Sequence, residues 1–330
     1  MNILDKLPKP IFILAPMDDV TDSVFRQIVA DCSPPDLFFT EFVNVDGLQS
    51  PGRPRLIRKL QFTKKEKPII AQIWGINSEN FYKTTKELKE MGFDGVDINM
   101  GCPVKTVTKH GACAALIKNR ELAAEIIESV KKAAGDNFPV SVKTRVGYNS
   151  VDMSWIEFIL TKKLNMLSIH GRTAKQLSKV PANWDLIGQA REIRDATCPS
   201  TLIIGNGDVK NREHGLKLIN KYELDGVMIG RGIFDNPFAF AEDNPWAFYS
   251  KQQKIGIFEE HIKLFTSTWA HGEYRFEVLR KFCKVYISGF DGAHELRAKF
   301  MQASNPDEAL KVLNAAQESI ISSPKEEVVA

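Results

Sequence analysis

Asn99-Met100-Gly101-Cys102-Pro103 sets a thiol beside an amide side chain where a β-strand has to stop. The preceding residues alternate, Val96 and Ile98 against Asp97 and Asn99, with the period of two that marks a strand. Gly101 admits backbone angles that other residues avoid and Pro103 lacks an N–H, so the strand ends between them. Cys102 therefore stands at a strand's carboxyl-terminal mouth, the edge at which parallel barrels and open parallel sheets bind ligands. A lone cysteine is usually an inert, buried small hydrophobe. Gly101-Cys102-Pro103 suits a packed core poorly, which favours chemistry here. Cys32, Cys113, Cys198 and Cys283 are scattered, without Cys-x-x-Cys or His-x-x-x-His spacing, so no metal site is expected.

Other apolar runs end in polar residues in the same way. The first delivers Pro16-Met17-Asp18, the third Gln72, the fifth Lys143 and Arg145, and the sixth His170-Gly171-Arg172. The seventh ends in Asn206-Gly207-Asp208 and the eighth in Gly230-Arg231-Gly232. Such glycine dipeptides are often mere turns. After strands seven and eight of a barrel, however, they are where backbone N–H groups commonly hold a phosphate. Gly207 and Gly230 allow close approach, and Arg231 adds a charged donor. Lys143, flanked by Val142 and Val146, needs a partner if buried. A flavin offers one in the negative charge near N1 of its reduced ring. Gln72 can serve the ring edge, and His170 can reach ring or phosphate. Together these residues suggest flavin mononucleotide (FMN).

The elements that position them alternate along most of the chain. Strands are expected over 11–15, 37–40, 69–73, 95–99, 140–144, 166–170, 201–205 and 226–229, with helices such as 77–91 and 120–134 between them. Eight βα units in this length point to a (β/α)8 TIM barrel of the α/β class. The alternative, an open doubly wound sheet, lacks a Gly-x-Gly-x-x-Gly turn after its first strand. Beyond Phe240 the strand signals cease. Phe258, Ile262, Phe265 and Trp269 form one helical stripe, Leu279, Phe282, Cys283 and Tyr286 a second, and Leu310, Leu313 and Ile320 a third. They predict a small C-terminal helical bundle, giving a barrel domain over 1–245 and a helical domain over 246–330 with a frayed tail from Ser322.

The 330 residues, 43% hydrophobic, suffice for this arrangement. Five irregularly spaced cysteines suit a reducing compartment, and no apolar run is long enough for a membrane span, so a soluble cytoplasmic protein is expected. No obligate protein partner is evident. The net charge is only +3, but Arg53, Arg55, Arg58, Lys59, Lys64, Lys65 and Lys67 cluster against the single acid Glu66. Lys105, Lys109 and His110 follow the cysteine, and Arg172, Lys175 and Lys179 follow the sixth strand. A charge run is usually a solvated face. Basic loops converging on one mouth would suit a polyanion larger than a nucleotide.

These residues match a known pattern. Ala15-Pro16-Met17 with Val20-Thr21-Asp22 and Phe25-Arg26, Thr40-Glu41, Ala71-Gln72, Asn99 to Pro103, Val142 to Arg145, His170 to Thr173, Asn206 to Asp208 and Met228 to Gly232 follow in order and spacing. The chain resembles the tRNA-dihydrouridine synthases over essentially its whole length. That resemblance implies a flavin-binding barrel and a helical RNA-binding domain that reduce the C5–C6 double bond of uridines in tRNA, with the D-loop as the expected target. It implies FMN as cofactor and NADPH as reductant, and Cys102 as the general acid at uracil C5. A free thiol with a pKa of about 8.5 would keep its proton near neutrality for that role. By the same resemblance Asn99 and Arg145 bind the substrate base, and Pro16, Met17, Asp18, Gln72, Lys143, His170, Asn206, Gly207, Asp208, Gly230 and Arg231 hold the cofactor. A stacked uracil must be flipped out to reach the mouth. Candidate RNA contacts are the 53–67 and 105–110 loops and Lys251, Lys254, Arg275, Arg280, Lys281 and Lys284. Asp18-Asp19 departs from the family pattern and leaves the target position open. Two other functions fit many of the same residues: a flavin barrel acting on a free pyrimidine, as in dihydroorotate dehydrogenase, and a non-catalytic tRNA chaperone.

Overall fold

The computed structural model describes residues 2–321, and the tail from Ser322 lies outside them. The chain divides into two compact units. One runs to Ile233 and includes Ala239–Glu242; the other comprises Phe234–Phe238 and the residues from Asp243 onward.

The first unit is a (β/α)8 barrel. Its strands are β1 (Ile11–Leu14), β2 (Phe38–Phe39), β3 (Val43–Asn44), β4 (Ile69–Trp74), β5 (Gly95–Met100), β6 (Val140–Arg145), β7 (Met166–His170), β8 (Leu202–Asn206) and β9 (Gly226–Ile229). All pair in parallel, in the order β1-β9-β8-β7-β6-β5-β4-β2. A bridge between Ile13 and Leu37 brings β1 to the other edge and closes the ring. The expected eight strands are present, the second one split. Thr40 causes the split: its Oγ1 accepts from the Gln72 N–H at 3.0 Å, taking the place of a ladder carbonyl, and β3 then resumes pairing on β4.

Alternate residues of each strand face the barrel interior. In the lower half these are apolar: Ile11, Ile13, Leu37, Phe39, Ile70, Met166, Ile204 and Met228 form one buried cluster. Leu4, delivered by the N-terminal 3-10 turn Ile3–Asp5, seals its floor. Higher up, the inward set turns polar. Strand register places Gln72 beside Asp97, Asp97 beside Ser141, Asn99 beside Lys143, and Arg145 beside His170.

The helices form where amphipathic runs meet capping residues. Ser78–Glu90 starts on Asn77, whose side chain accepts from the Asn80 N–H. Arg120–Ala134 starts on Asn119 and stops at Gly135, burying Ile126, Ile127, Val130 and Ala133. In the second unit, helix Lys251–Thr268 opens with a Ser250–Gln253 capping box and buries Phe258, Ile262 and Phe265. Phe258 packs on Tyr286 and Phe300 with ring centroids 4.9 and 4.7 Å apart. The second stripe is buried as expected, but Phe276–Phe282 is a 3-10 helix rather than an α-helix. Its neighbour His261, buried against the Tyr286 hydroxyl at 3.0 Å, has its pKa pushed down to about 3 by desolvation. The third stripe lies on Pro306–Ile321, with Leu313 buried; the side chain of Ile320 lies outside the described residues. No helix among the described residues is long and apolar enough to cross a membrane.

The basic connection 53–67 is less free than its composition implies. Arg53 pairs with Glu87, Lys65 with Asp31 and Lys67 with Asp94, while Lys59 meets Asp18, Asp19 and Glu41. Its one acid, Glu66, is fully buried and binds Arg26 at 2.6 Å. Arg26 also donates to the Thr21 and Gln61 carbonyls, and Glu66 accepts from Ser23 and the Thr63 N–H. The pair thus pins the connection to helix Ser23–Cys32. Removing one member of such a pair strands the other charge in the interior. We therefore expect Arg26→Met to cost about 3–5 kcal/mol in denaturant unfolding, and Arg26→Met with Glu66→Leu to recover most of it.

Candidate active site

Cys102 sits two residues past β5, half-buried at the mouth, on a backbone held from two sides. Asn99 Oδ1 accepts from the N–H groups of both Gly101 and Cys102 at 3.0 Å. Arg145 Nε donates to the Gly101 carbonyl at 2.7 Å, and its Nη1 reaches the carbonyls of Thr173 and Leu177 at 3.1 and 3.2 Å. Arg145 therefore ties the cysteine loop to the loop after β7. Both residues expected to bind substrate hold backbone here.

The thiol is not ordinary. Cys113 donates its S–H to the Cys102 sulfur, and this, aided by the Val104 N–H, draws the Cys102 pKa down to about 7 against the effect of burial. Burial, together with the same contact, drives the Cys113 thiol well up. Cys113 lies in the left-handed region at φ 53°, packed with Val107 and Ala112, which turns its side chain back toward Cys102. Cys102 therefore does not keep its proton near neutrality as an ordinary free cysteine would. Eleven positions separate the two cysteines with no motif spacing, so nothing in the sequence signals their contact.

Lys143 points inward from β6, its Nζ donating to Asn206 Oδ1 at 3.0 Å. Desolvation, with the neighbouring Arg145 charge, lowers its pKa to about 8, partly offset by Asp97 and Cys102. His170 is held well below the usual imidazole range by burial and by Arg145, Lys143, Arg172 and Arg231, so it is neutral at pH 7. Four cationic side chains thus surround one histidine. Arg172 and Arg231 both bind the Asp208 carboxylate, which also takes the Ala182 N–H at 2.9 Å. Asp208, assigned by sequence to the cofactor, here spaces two arginines. Gly207 beside it has φ 127°, and a Cβ there would come within 2.6 Å of the Ala182 Cβ and 3.2 Å of the His170 ring. Gly230 has Ala15 and Met17 opposite it with no such crowding.

Gln72 is fully buried rather than at an open ring edge, its amide bonded to Asp97 and Asn99. Pro16 and Met17 line the end of β1, Met17 fixed by the Thr21 hydroxyl, while Asp18 turns to Lys59. Asp18, Asp19 and Glu41 could together ligate a cation, but the Lys59 ammonium already lies against all three. The cation excess around His170, the glycine turns and the buried Ser168 Oγ, unbonded among the described residues, fit a ligand with an anionic group and polar ring edge.

Fold and site together describe a (β/α)8 barrel that gathers a thiol and a cluster of cationic side chains at one mouth. The chain matches the family model for dihydrouridine synthase over residues 13–321, and it belongs to that family. A protein of Staphylococcus epidermidis named "Probable tRNA-dihydrouridine synthase" is 45% identical over 316 residues, 95% of each chain. The Bacillus subtilis protein named "Probable tRNA-dihydrouridine synthase 2" is 44% identical over 322 residues, 95% of this chain and 96% of its own. Among solved structures, a 2-naphthoyl-CoA reductase shares the barrel fold with TM-score 0.51 and 10% identity, over 69% of this chain and 48% of that one. Histamine dehydrogenase from Rhizobium does so with TM-score 0.50 and 12% identity, over 77% and 48%. This chain spans about half the length of either enzyme.

Alkylation requires the thiolate. Iodoacetamide labelling of Cys102, followed by mass spectrometry, should reach half its maximal rate near pH 7. Cys113→Ala removes the S–H donor and should move that midpoint upward, toward about 8.5.

Proposed function

We propose that this protein reduces the C5–C6 double bond of uridines in tRNA, in the D-loop, with FMN bound at the barrel mouth and NADPH as reductant. The observation that carries this reading is Cys102, pinned at the mouth beside Lys143 in a chain of the dihydrouridine synthase family. The likeness to curated tRNA-dihydrouridine synthases over nearly the full length supports the substrate class.

FMN, when bound, supplies hydride-transfer chemistry to uracil C6. Lys143, Asn206 and His170 would hold its ring, and Gly207, Gly230, Arg231 and Arg172 its phosphate. Cys102 delivers the proton to C5. At a pKa near 7 the thiol exchanges protons readily at neutral pH, which suits a general acid. Asn99 and Arg145 keep that thiol in place while the flipped base enters.

The rim suits RNA. Val104, Leu177 and Val180 are exposed apolar side chains on the two loops tied by Arg145, and Lys105, Lys109, His110, Lys175 and Lys179 are exposed beside them. Such a surface offers contacts for bases and phosphates together. Arg172 does not belong to it, being buried. Nor does Lys254 of the helical unit face outward: it is buried over the Trp246 ring at 5.0 Å. Arg275, Lys281 and Lys284 remain exposed in that unit and are the RNA contacts assigned to it.

Purified protein with NADPH and unmodified tRNA should form dihydrouridine at mapped D-loop positions. Cys102→Ala should lose about 10²- to 10⁴-fold in rate while tRNA affinity holds. Product from free pyrimidine but not from tRNA would overturn the reading. So would wild-type rates in Cys102→Ala. Lys143→Ala should purify with less flavin, read from its visible absorbance.

A further inference from the structure

Beneath the mouth lies a buried carboxylate that the chemistry above does not use. Asp97 is fully buried on the inner face of β5, accepting from Ser141 Oγ at 2.6 Å and from Gln72 Nε2 at 2.7 Å. An ionised carboxylate only accepts. Gln72 must therefore turn its NH2 group down to Asp97 and its oxygen up, where it takes the Asn99 Nδ2 at 3.0 Å. Asn99, having donated, is left with its oxygen facing the Gly101 and Cys102 N–H groups. Backbone donors at one end and a carboxylate at the other admit only one direction for both amides. Reversing either would set donor against donor at a buried contact, at the cost of an unsatisfied polar group.

We propose that Asp97 is a positioning residue for Cys102: its carboxylate sets the direction of the Gln72–Asn99 amide relay, and so fixes the backbone that carries the thiol. Strand register makes the relay possible, since Gln72, Asp97 and Ser141 are consecutive cross-strand partners. The same charge lies under Lys143 and opposes the depression of its pKa by Arg145. The groups facing Asp97 are thus Ser141, Gln72 and Lys143. Burial pushes its own pKa up to about 6, and those neighbours keep it ionised at neutral pH.

The role of Asp97 in the reaction rests on the proposed function, but its effect on the thiol does not. The test uses the flavin-loaded full chain and reads Cys102 alkylation by iodoacetamide against pH, alongside dihydrouridine formation. Asp97→Ala and Gln72→Leu break the relay at different points. Both should free the cysteine loop from the Cys113 S–H and slow alkylation at pH 7 by about threefold or more, with the midpoint moved up. Asp97→Asn, which keeps one oxygen for Gln72, should recover at least half of that loss. Ser141→Ala removes a partner of the same carboxylate outside the relay and should leave the alkylation midpoint at the wild-type pH. Turnover of tRNA should fall about tenfold in the two relay variants with KM unchanged. Wild-type alkylation profiles in Asp97→Ala and Gln72→Leu would overturn the proposal, as would an equal shift in Ser141→Ala. Shifted profiles in a protein whose wild type makes no dihydrouridine would support the relay while overturning the assigned reaction.

Discussion

A closed ring of parallel strands permits each strand only every second residue on its inner face, and this alternation organises the molecule. The register is continuous from β4 to β9, so inward residues stack in rings rather than scatter. The lower rings are hydrocarbon and supply the driving force for closure. The upper ones carry amides, a carboxylate, a lysine and a histidine, whose desolvation the ring itself imposes. Polar side chains so confined bond to one another, through Asp97, Gln72 and Asn99 on one side and Lys143 and Asn206 on the other, while the Ser168 hydroxyl finds no partner among the described residues.

Electrostatics at the mouth follow from the same confinement. Lys143, Arg145, Arg172 and Arg231 converge on His170, and Asp208, the deeper Asp97 and the Cys102 sulfur answer them. The imidazole responds by staying neutral. Arg145 responds by bonding to three backbone carbonyls, a use of its fork geometry that locks two loops together. Positive potential is thus built in before any ligand arrives, and the thiol is tuned within it.

Alternation and turn residues made the barrel strands, the cysteine's place and the two glycine turns legible in the sequence. Contacts between distant residues leave no such mark. Glu66 reads as a stray acid in a basic run, yet it is the buried anchor of Arg26, forty positions away. The split of the second strand depends on the Thr40 hydroxyl imitating a backbone carbonyl, which no periodicity reveals. The Cys102–Cys113 contact depends on a left-handed backbone at a residue that is not glycine, a conformation with no compositional mark. Gln72 and Asn99 read as polar groups at strand ends. Their mutual bonding needs the strand register, which a sequence does not state.

Leu4 and the pairing of β1 with β9 carry a consequence for how the chain assembles. The floor plug and first strand stand at the start of the chain, while the strand that receives β1 is Gly226–Ile229. During synthesis the first strand can meet Leu37 early, but the edge that β9 covers stays open until some two hundred later residues have emerged. Ring closure is therefore among the longest-range contacts in the unit, of the kind that slows folding and leaves sticky strand edges in the interim.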